Sequence, residues 1–123
     1  MNNVVISGRI EDVIEPFFTD KKLCIGRFTL IVQRPKNDRK ITPGSSPEDR
    51  YDFVRCIAFG KQASVLTSFK NAGKKITVQG RIRTGYYFNK EGKKINTTEV
   101  IVNNFEYDGG EDFHDFGSYE EVI

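Results

Sequence analysis

The chain lacks most of the residue types from which enzymes build catalytic centres. Its 123 residues contain no tryptophan, two cysteines and a single histidine, His114, which lies near the C-terminus. This composition excludes a Ser/His/Asp triad in the body of the chain and gives no zinc-binding spacing. Glycine-rich phosphate loops of the Walker or dinucleotide type are also absent. We therefore expect no enzyme activity, no metal site and no cofactor.

Long hydrophobic runs are missing as well. No apolar segment approaches the ~20 residues of a membrane helix. The start, MNNVVISGRIED, has no basic region followed by a long apolar stretch, so we expect no signal peptide. Cys24 and Cys56 lie far apart in strand-like apolar runs, which predicts buried free thiols in a reducing cytoplasm. A disulfide between them is the alternative.

Positive charge is missing from the end of the chain. Residues 108–123 contain 6 Asp and Glu and no Lys or Arg, whereas residues 1–107 contain all 19 Lys and Arg and 11 Asp and Glu, a net charge of +8. We predict a folded basic domain over 1–107 and a short, acidic, flexible tail over 108–123. The basic body favours a polyanionic partner. The tail would dock a second partner, screen its own body, or only keep the chain soluble.

Short segments of alternating hydrophobicity make up the rest of the domain. Five of them predict strands, in the order NNVVISGRIED, LCIGRFTLIVQR, YDFVRCIAFGK, ITVQGRIRTGYYF and INTTEVIVNNFEY. One helix is predicted over 61–72, with Gly73 as its stop. Five antiparallel strands must protect their edges, and closure into a barrel does so. The order β-β-β-α-β-β therefore predicts an all-β fold with one short helix, a five-stranded antiparallel OB-fold barrel.

A long loop is predicted over 35–50, because three of the four prolines fall there and no periodicity survives. Such loops in compact domains are usually functional or mobile. Its cations make it a candidate arm over a polyanion; they are Lys36, Arg39, Lys40 and Arg50. A solvated hairpin tip is the alternative, with about equal weight.

The outward faces of the third and fourth predicted strands combine rings with guanidinium groups. In the third strand Val54, Cys56 and Ala58 should face the core, and in the fourth Ile76, Val78 and Ile82 should do so. The opposite parity then carries the candidate binding residues, which are Phe53, Arg55, Phe59, Arg81, Arg83 and Tyr87. Rings stack on the bases of single strands and cations neutralise phosphates, so this face predicts binding of single-stranded nucleic acid.

Two other functions are compatible with the same residues. The rings could pack against another subunit, which would make the chain a protein-interaction module with weak DNA binding. The acids around the loop, Glu48, Asp49 and Asp52, could form a metal-dependent nuclease site. We consider the nuclease the weaker alternative, because the neighbouring lysines and arginines would pair with these acids.

The sequence resembles the bacterial and phage single-stranded DNA-binding proteins in five segments, which occur in the same order as in that family. The matching segments are NNVVISGRI, RFTLIVQR, FVRCIAFGKQA, GKKITVQGRIRT and TTEVIV, which together span the first 107 residues. The resemblance implies an OB-fold that coats single-stranded DNA in replication, recombination and repair, without catalysis, as a homotetramer or sometimes a dimer. It implies stacking roles for Phe53, Phe59 and Tyr87, and basic contacts from Arg55, Lys61 and Arg83.

The chain departs from that family at two places. Pro35 and Lys36 stand where members often have a tryptophan, so that one stacking ring is replaced. The linker before the tail is nearly absent, although the ending still combines acids with apolar residues. The resemblance implies that this ending recruits replication or repair proteins in the bacterial cytoplasm, for a chromosomal, phage or plasmid protein; its residues are Glu120, Glu121, Val122 and Ile123.

Overall fold

The computed structural model describes residues 1–12, 14–35, 50–68 and 71–108. These described residues form six strands and one helix. Their bounds are β1 Val4–Ile10, β2 Pro16–Phe18, β3 Cys24–Gln33, β4 Tyr51–Phe59, α1 Gly60–Thr67, β5 Lys75–Phe88 and β6 Lys94–Tyr107.

One sheet joins all the strands and closes on itself. Its order is β1-β5-β6-β4-β3-β2, and β1 also pairs with β3 through Arg9–Ile31 and Ile10–Leu30. The closure confirms the predicted fold class. Two details are new: the three-residue strand β2 lies between the first two predicted strands, and β4 pairs with β6 in parallel at two positions, Cys56–Val100 and Ile57–Ile101.

The core lies inside the closed sheet and is built by the predicted alternation. Cys56 and Ala58 are fully buried, and Val54 packs against the same cluster. Burial, and secondarily the negative charge of Glu99, raises the pKa of the Cys56 thiol to about 12. This thiol therefore stays protonated near neutral pH and has no nucleophilic character. Both cysteines are free and buried, as the sequence predicted.

A β-bulge in β6 decides which of its side chains face the core. Gln79 pairs with Asn104 but Gly80 pairs with Val102, so Asn103 has no partner on β5. Val100 and Val102 face the core before this residue, and Phe105 and Tyr107 face it afterwards. A single period-2 pattern over the strand could not have placed both pairs inside.

Helix α1 is shorter than predicted, because it ends at Thr67 rather than at residue 72. The buried side chain of Asn71 folds back to donate a hydrogen bond to the carbonyl of Leu66, and it accepts one from the Tyr107 hydroxyl at 2.7 Å. The first bond satisfies a carbonyl at the end of the helix, and the second holds the Asn71 side chain in place. Gly73 has a positive φ of 79° but lies beyond the helix, and Phe69 falls outside the described residues.

The prediction that Ile82 is buried was wrong, since its side chain is 44% exposed. Pairing of β1 with β5 runs only from Arg9–Lys75 to Val4–Gly80. Beyond that point the side chain of Asn2 accepts a hydrogen bond from the Ile82 amide at 2.8 Å and donates one to the Ile82 carbonyl at 2.7 Å. Ile82 keeps the inward parity but lies past the end of the strand that would cover it.

Candidate functional site

A groove opens where β4 and β6 separate. The two strands pair at only two positions, so their remaining lengths diverge and leave a space of about 550 Å³. Phe53 and Arg55 line it from β4, and Tyr87 lines it from β5. The structure thus brings three of the predicted site residues together in one cavity, which we call the first groove.

The lining of the first groove is partly apolar and partly polar. Its aliphatic residues are Val4, Ile6, Val54, Ile82, Ile95 and Val100. Its polar residues include four consecutive positions of β6, namely Asn96, Thr97, Thr98 and Glu99. Phe53 and Tyr87 are 50% and 53% exposed, so large parts of both rings face solvent. A flat apolar ring with polar edges suits such a space.

Phe53 also borders a second groove, on the side of β1 and β3. This space of about 690 Å³ is lined by Ser7, Gly8, Arg9, Ile31, Gln33, Tyr51, Phe53 and Lys75. Arg9 and Lys75 lie opposite each other on β1 and β5 and supply two cations. Sequence reasoning missed both as site residues. The outward parity of Arg9 on the first strand was the available signal, but only the strand pairing places it near Phe53.

Arg83 is held by a neighbour and does not project freely into solvent. Its Nη2 lies 2.7 Å from Oε1 of Glu99, the opposite residue on β6, and its guanidinium carbon is 5.8 Å from the centre of the Phe59 ring. Phe59 is half-buried. It lies six residues from Phe53 on the same strand, roughly 20 Å at the rise of an extended chain. Phe59 and Arg83 are therefore neighbours outside the lining of the first groove, next to Glu99, which belongs to that lining.

The remaining predicted residues of the barrel lie outside both grooves. Arg81 is exposed on β5, opposite Ile101, and Lys61 is exposed in the first turn of α1. Ile57 separates the rings of β4 and is buried beside Ile101, its partner in the parallel pairing. Ile57 therefore contributes nothing to the exposed surface between Arg55 and Phe59.

The loop and tail residues fall largely outside the described part of the chain. This applies to Lys36, Arg39 and Lys40, and to the tail residues Glu120, Glu121, Val122 and Ile123. The two ends of the loop are described. The Arg34 amide donates to the carbonyl of Arg50 at 2.9 Å, and Arg34 Nε lies 2.9 Å from Asp52 Oδ1. The loop thus leaves and rejoins the barrel next to Tyr51, at the second groove.

Other kinds of site find no support in the described residues. They contain no group of three or more His, Cys, Asp or Glu side chains that could hold a metal ion. Asp52, one of the acids considered for a nuclease, forms the ion pair with Arg34 described above. No helix in this part of the chain has the length and apolar character needed to cross a membrane.

Comparison with known proteins agrees with the fold. The sequence profile of the single-strand binding protein family matches residues 1–108. The chain belongs to the single-strand binding protein family. The match covers the whole closed sheet and ends one residue after β6.

Individual relatives of this family member come from bacteria. The chain is 34% identical over 108 residues to a single-stranded DNA-binding protein of Clostridium perfringens, covering 87% of this chain and 65% of that protein. It is 30% identical over 106 residues to single-stranded DNA-binding protein 1 of Streptococcus pyogenes serotype M18, covering 86% and 77%. A relative from S. pyogenes serotype M3 is 32% identical over 106 residues, covering 86% and 61%. The chain thus spans slightly less than two thirds of two of these proteins.

Proposed function

We propose that this family member binds single-stranded DNA with little dependence on sequence, and that it protects the strand in replication, recombination and repair without catalysing a reaction. The convergence of Phe53, Arg55 and Tyr87 on the first groove carries the proposal. The names of the bacterial relatives support the same substrate.

The chemistry of the groove favours single strands over duplexes. Every base has two flat faces, and stacking on an aromatic side chain is worth ~1–3 kcal/mol per base whatever the sequence. In a duplex those faces are hidden between neighbouring base pairs. Phe53 and Tyr87 supply the rings that stack on bases, and Arg55 supplies a cation that contacts the phosphates. Arg9 and Lys75 extend the positive charge into the second groove.

The other predicted residues have subsidiary roles in this proposal. Phe59 and Arg83 form a second contact further along β4. Arg81, Lys61 and the loop cations Lys36, Arg39 and Lys40 attract the phosphate backbone. The protein acts as a homo-oligomer, with a tetramer favoured over a dimer, in the bacterial cytoplasm. The acidic tail, through Glu120, Glu121, Val122 and Ile123, recruits proteins of replication or repair.

Titration of an unlabelled dT oligonucleotide at increasing salt tests the proposal. Neutralisation of several phosphates releases counterions, so the logarithm of the binding constant should fall linearly with the logarithm of the salt concentration, by ~0.7 for each phosphate contacted. A duplex of equal length should bind at least ~10-fold more weakly. Equal affinity for duplex and single strand would contradict the proposal. Weak binding of both, with Phe53 buried in an oligomer, would favour the protein-interaction module instead.

Replacing Glu99 by glutamine should strengthen binding. Glu99 is the one acid among the described residues that line the first groove. Its Oε1 lies 2.7 Å from Nη2 of Arg83, and this ion pair neutralises the charge of the guanidinium group. Without the charge of Glu99, Arg83 becomes available to a phosphate. We expect affinity at low salt to rise ~3- to 10-fold and the salt dependence to steepen by about one phosphate contact.

The matched control for this change is Glu106→Gln. Glu106 is exposed on the same strand, seven positions further along. Its replacement removes the same charge from a residue that lines neither groove, so it should change affinity less than ~2-fold because salt screens exposed charges. Equal gains from the two variants would show that net charge alone is responsible, and would remove Arg83 from the site.

A further inference from the structure

The hairpin formed by the ends of β5 and β6 carries two aromatic faces, and the proposed function uses only one. Residues 84–88 pair with residues 94–98. No other strand of the described residues pairs with this segment. Its turn is tightly closed, because the Asn89 side chain accepts hydrogen bonds from the amides of Glu91 and Lys93, both at 2.9 Å. The hairpin is therefore an ordered ribbon that extends beyond the barrel.

The two faces differ in composition. Tyr87 and Ile95 are opposite each other on the face that continues into the first groove. Tyr86 and Phe88 have the other parity, and Phe88 is opposite Lys94. We call Tyr86, Phe88 and Lys94 the far face of the hairpin.

The rings of the far face are arranged as a small platform. Their centres are 5.8 Å apart with an angle of 78° between the planes, and Lys94 Nζ lies 4.6 Å from the centre of the Tyr86 ring. Tyr86 is 62% exposed and Phe88 is 63% exposed, more than either ring of the first groove. Rings held against each other with such exposure have preformed contact surfaces and little conformational entropy to lose on binding.

We propose that the far face binds a further segment of the same DNA strand, so that the strand passes around the hairpin from Tyr87 to Tyr86 and Phe88. This inference rests on the proposed function. Tyr86 and Phe88 would stack on bases, and Lys94 would move from the Tyr86 ring to a phosphate. The face is thus an additional base-stacking site that the sequence analysis had not assigned.

Charge favours a nucleic acid over a second copy of the chain as the occupant. Residues 84–98 contain Lys90, Lys93 and Lys94 but only one acid, Glu91. A two-fold symmetric contact places each residue near its own equivalent or near a neighbour on the same patch, and would bring these lysines together. A phosphate backbone complements them. The surface therefore has both ingredients for single-strand binding, rings and an excess of positive charge.

The test compares wild-type protein with Tyr86→Ser/Phe88→Ser on dT oligonucleotides of graded length. Lengths from ~4 to ~16 nucleotides cover the range that one barrel of this kind occupies. The shortest oligonucleotide that fills the first groove should bind both proteins within ~2-fold. The longer ones should lose ~30-fold or more in the variant, because two stacking contacts of at least ~1 kcal/mol each are gone. Lys94→Gln should lower the salt slope by about one contact on long oligonucleotides only.

The chain offers a matched control in Phe17→Ser/Phe18→Ser. These neighbouring rings are 62% and 59% exposed, close to the values for the far face. They lie on the edge strand β2, and Phe17 shares a groove with two acids and one cation, Asp12, Glu15 and Arg27, so that this groove has no excess of positive charge to attract phosphate. This control should bind every length as the wild-type protein does. Circular dichroism and thermal unfolding would show that both double variants keep the fold.

The possible outcomes separate this inference from the proposed function. Length-dependent loss in the far-face variant alone supports the inference. Wild-type affinity at all lengths, or equal loss in the control, overturns it. A change of mass in light scattering without length-dependent loss also overturns it, since the rings would then join copies of the chain. If replacing Phe53 and Tyr87 has no effect either, the proposed function itself fails.

Discussion

Replacing Phe53 and Tyr87 together by alanine is expected to weaken binding of single-stranded DNA by about 10²- to 10⁴-fold. Each ring contributes one base-stacking contact of ~1–3 kcal/mol, and every 1.4 kcal/mol corresponds to a factor of ten in affinity. Both rings line the same groove, from β4 and from β5. This is the largest functional effect that we predict for any pair of side chains in the molecule.

The fold should tolerate this double change. Both rings are about half exposed, and neither belongs to the core cluster inside the sheet. We therefore expect the free energy of unfolding to fall by less than about 1 kcal/mol, as is usual for surface substitutions. Fluorescence anisotropy of a labelled dT oligonucleotide measures affinity, and thermal unfolding of the same samples measures stability. Wild-type affinity in a folded double variant would remove the first groove as the binding site.

The control for the double change is Phe17→Ala/Phe18→Ala. It removes two exposed rings from β2, neither of which lines the first groove. Its affinity should stay within ~2-fold of wild type. The single variants add a second criterion. If one strand of DNA contacts both rings, their effects should be non-additive, because residues that share a partner couple energetically.

The sequence predicted the residues of the first groove better than it predicted their surroundings. Alternation along β4 was enough to point Phe53 and Arg55 away from Cys56 and Ala58, since side chains on a strand change face at every residue. The same argument placed Tyr87. It failed for Ile82, because burial at that position depends on where the neighbouring strand β1 ends. The sequence around Ile82 carries no information about the length of β1.

What the sequence could not predict is the register between strands. Glu99 opposes Arg83 and Lys75 opposes Arg9 only because of pairings between segments far apart in the chain. Asn103 is another case, because nothing in the run VIVNNFEY indicates which residue is left out of the ladder. The first pairing decides whether Arg83 is available to contact DNA, and the second decides where the second groove lies. The candidate site could therefore be named from sequence as a set of residues, but not as a geometry.

Replacing Gly80 by alanine is expected to cause the largest loss of stability. Gly80 faces the backbone of β6 beside the unpaired Asn103, and a Cβ at this position would overlap the carbonyl oxygen of Ile101. Backbone in the middle of a closed sheet cannot shift without breaking its ladder, so the clash must be relieved by distorting the bulge. We expect a loss of about 3 kcal/mol in the free energy of unfolding. For a domain of this size that lowers the melting temperature by roughly 10–20 °C.

The contrast with Gly85→Ala makes the reason for that loss testable. Gly85 lies five residues further along the same strand, and a Cβ there would meet the Thr97 hydroxyl at 3.3 Å, a flexible group that can rotate away. The added methyl also restricts the unfolded chain, which stabilises the protein by a few tenths of a kcal/mol. Gly85→Ala should thus change stability by less than about 1 kcal/mol.

The unfolding temperatures of the two variants decide the prediction. If both alanine variants unfold at the wild-type temperature, the pairing of β5 with β6 does not require glycine at position 80. If Gly80→Ala alone unfolds early, its DNA affinity should recover at temperatures where the variant is fully folded, because Gly80 lines neither groove.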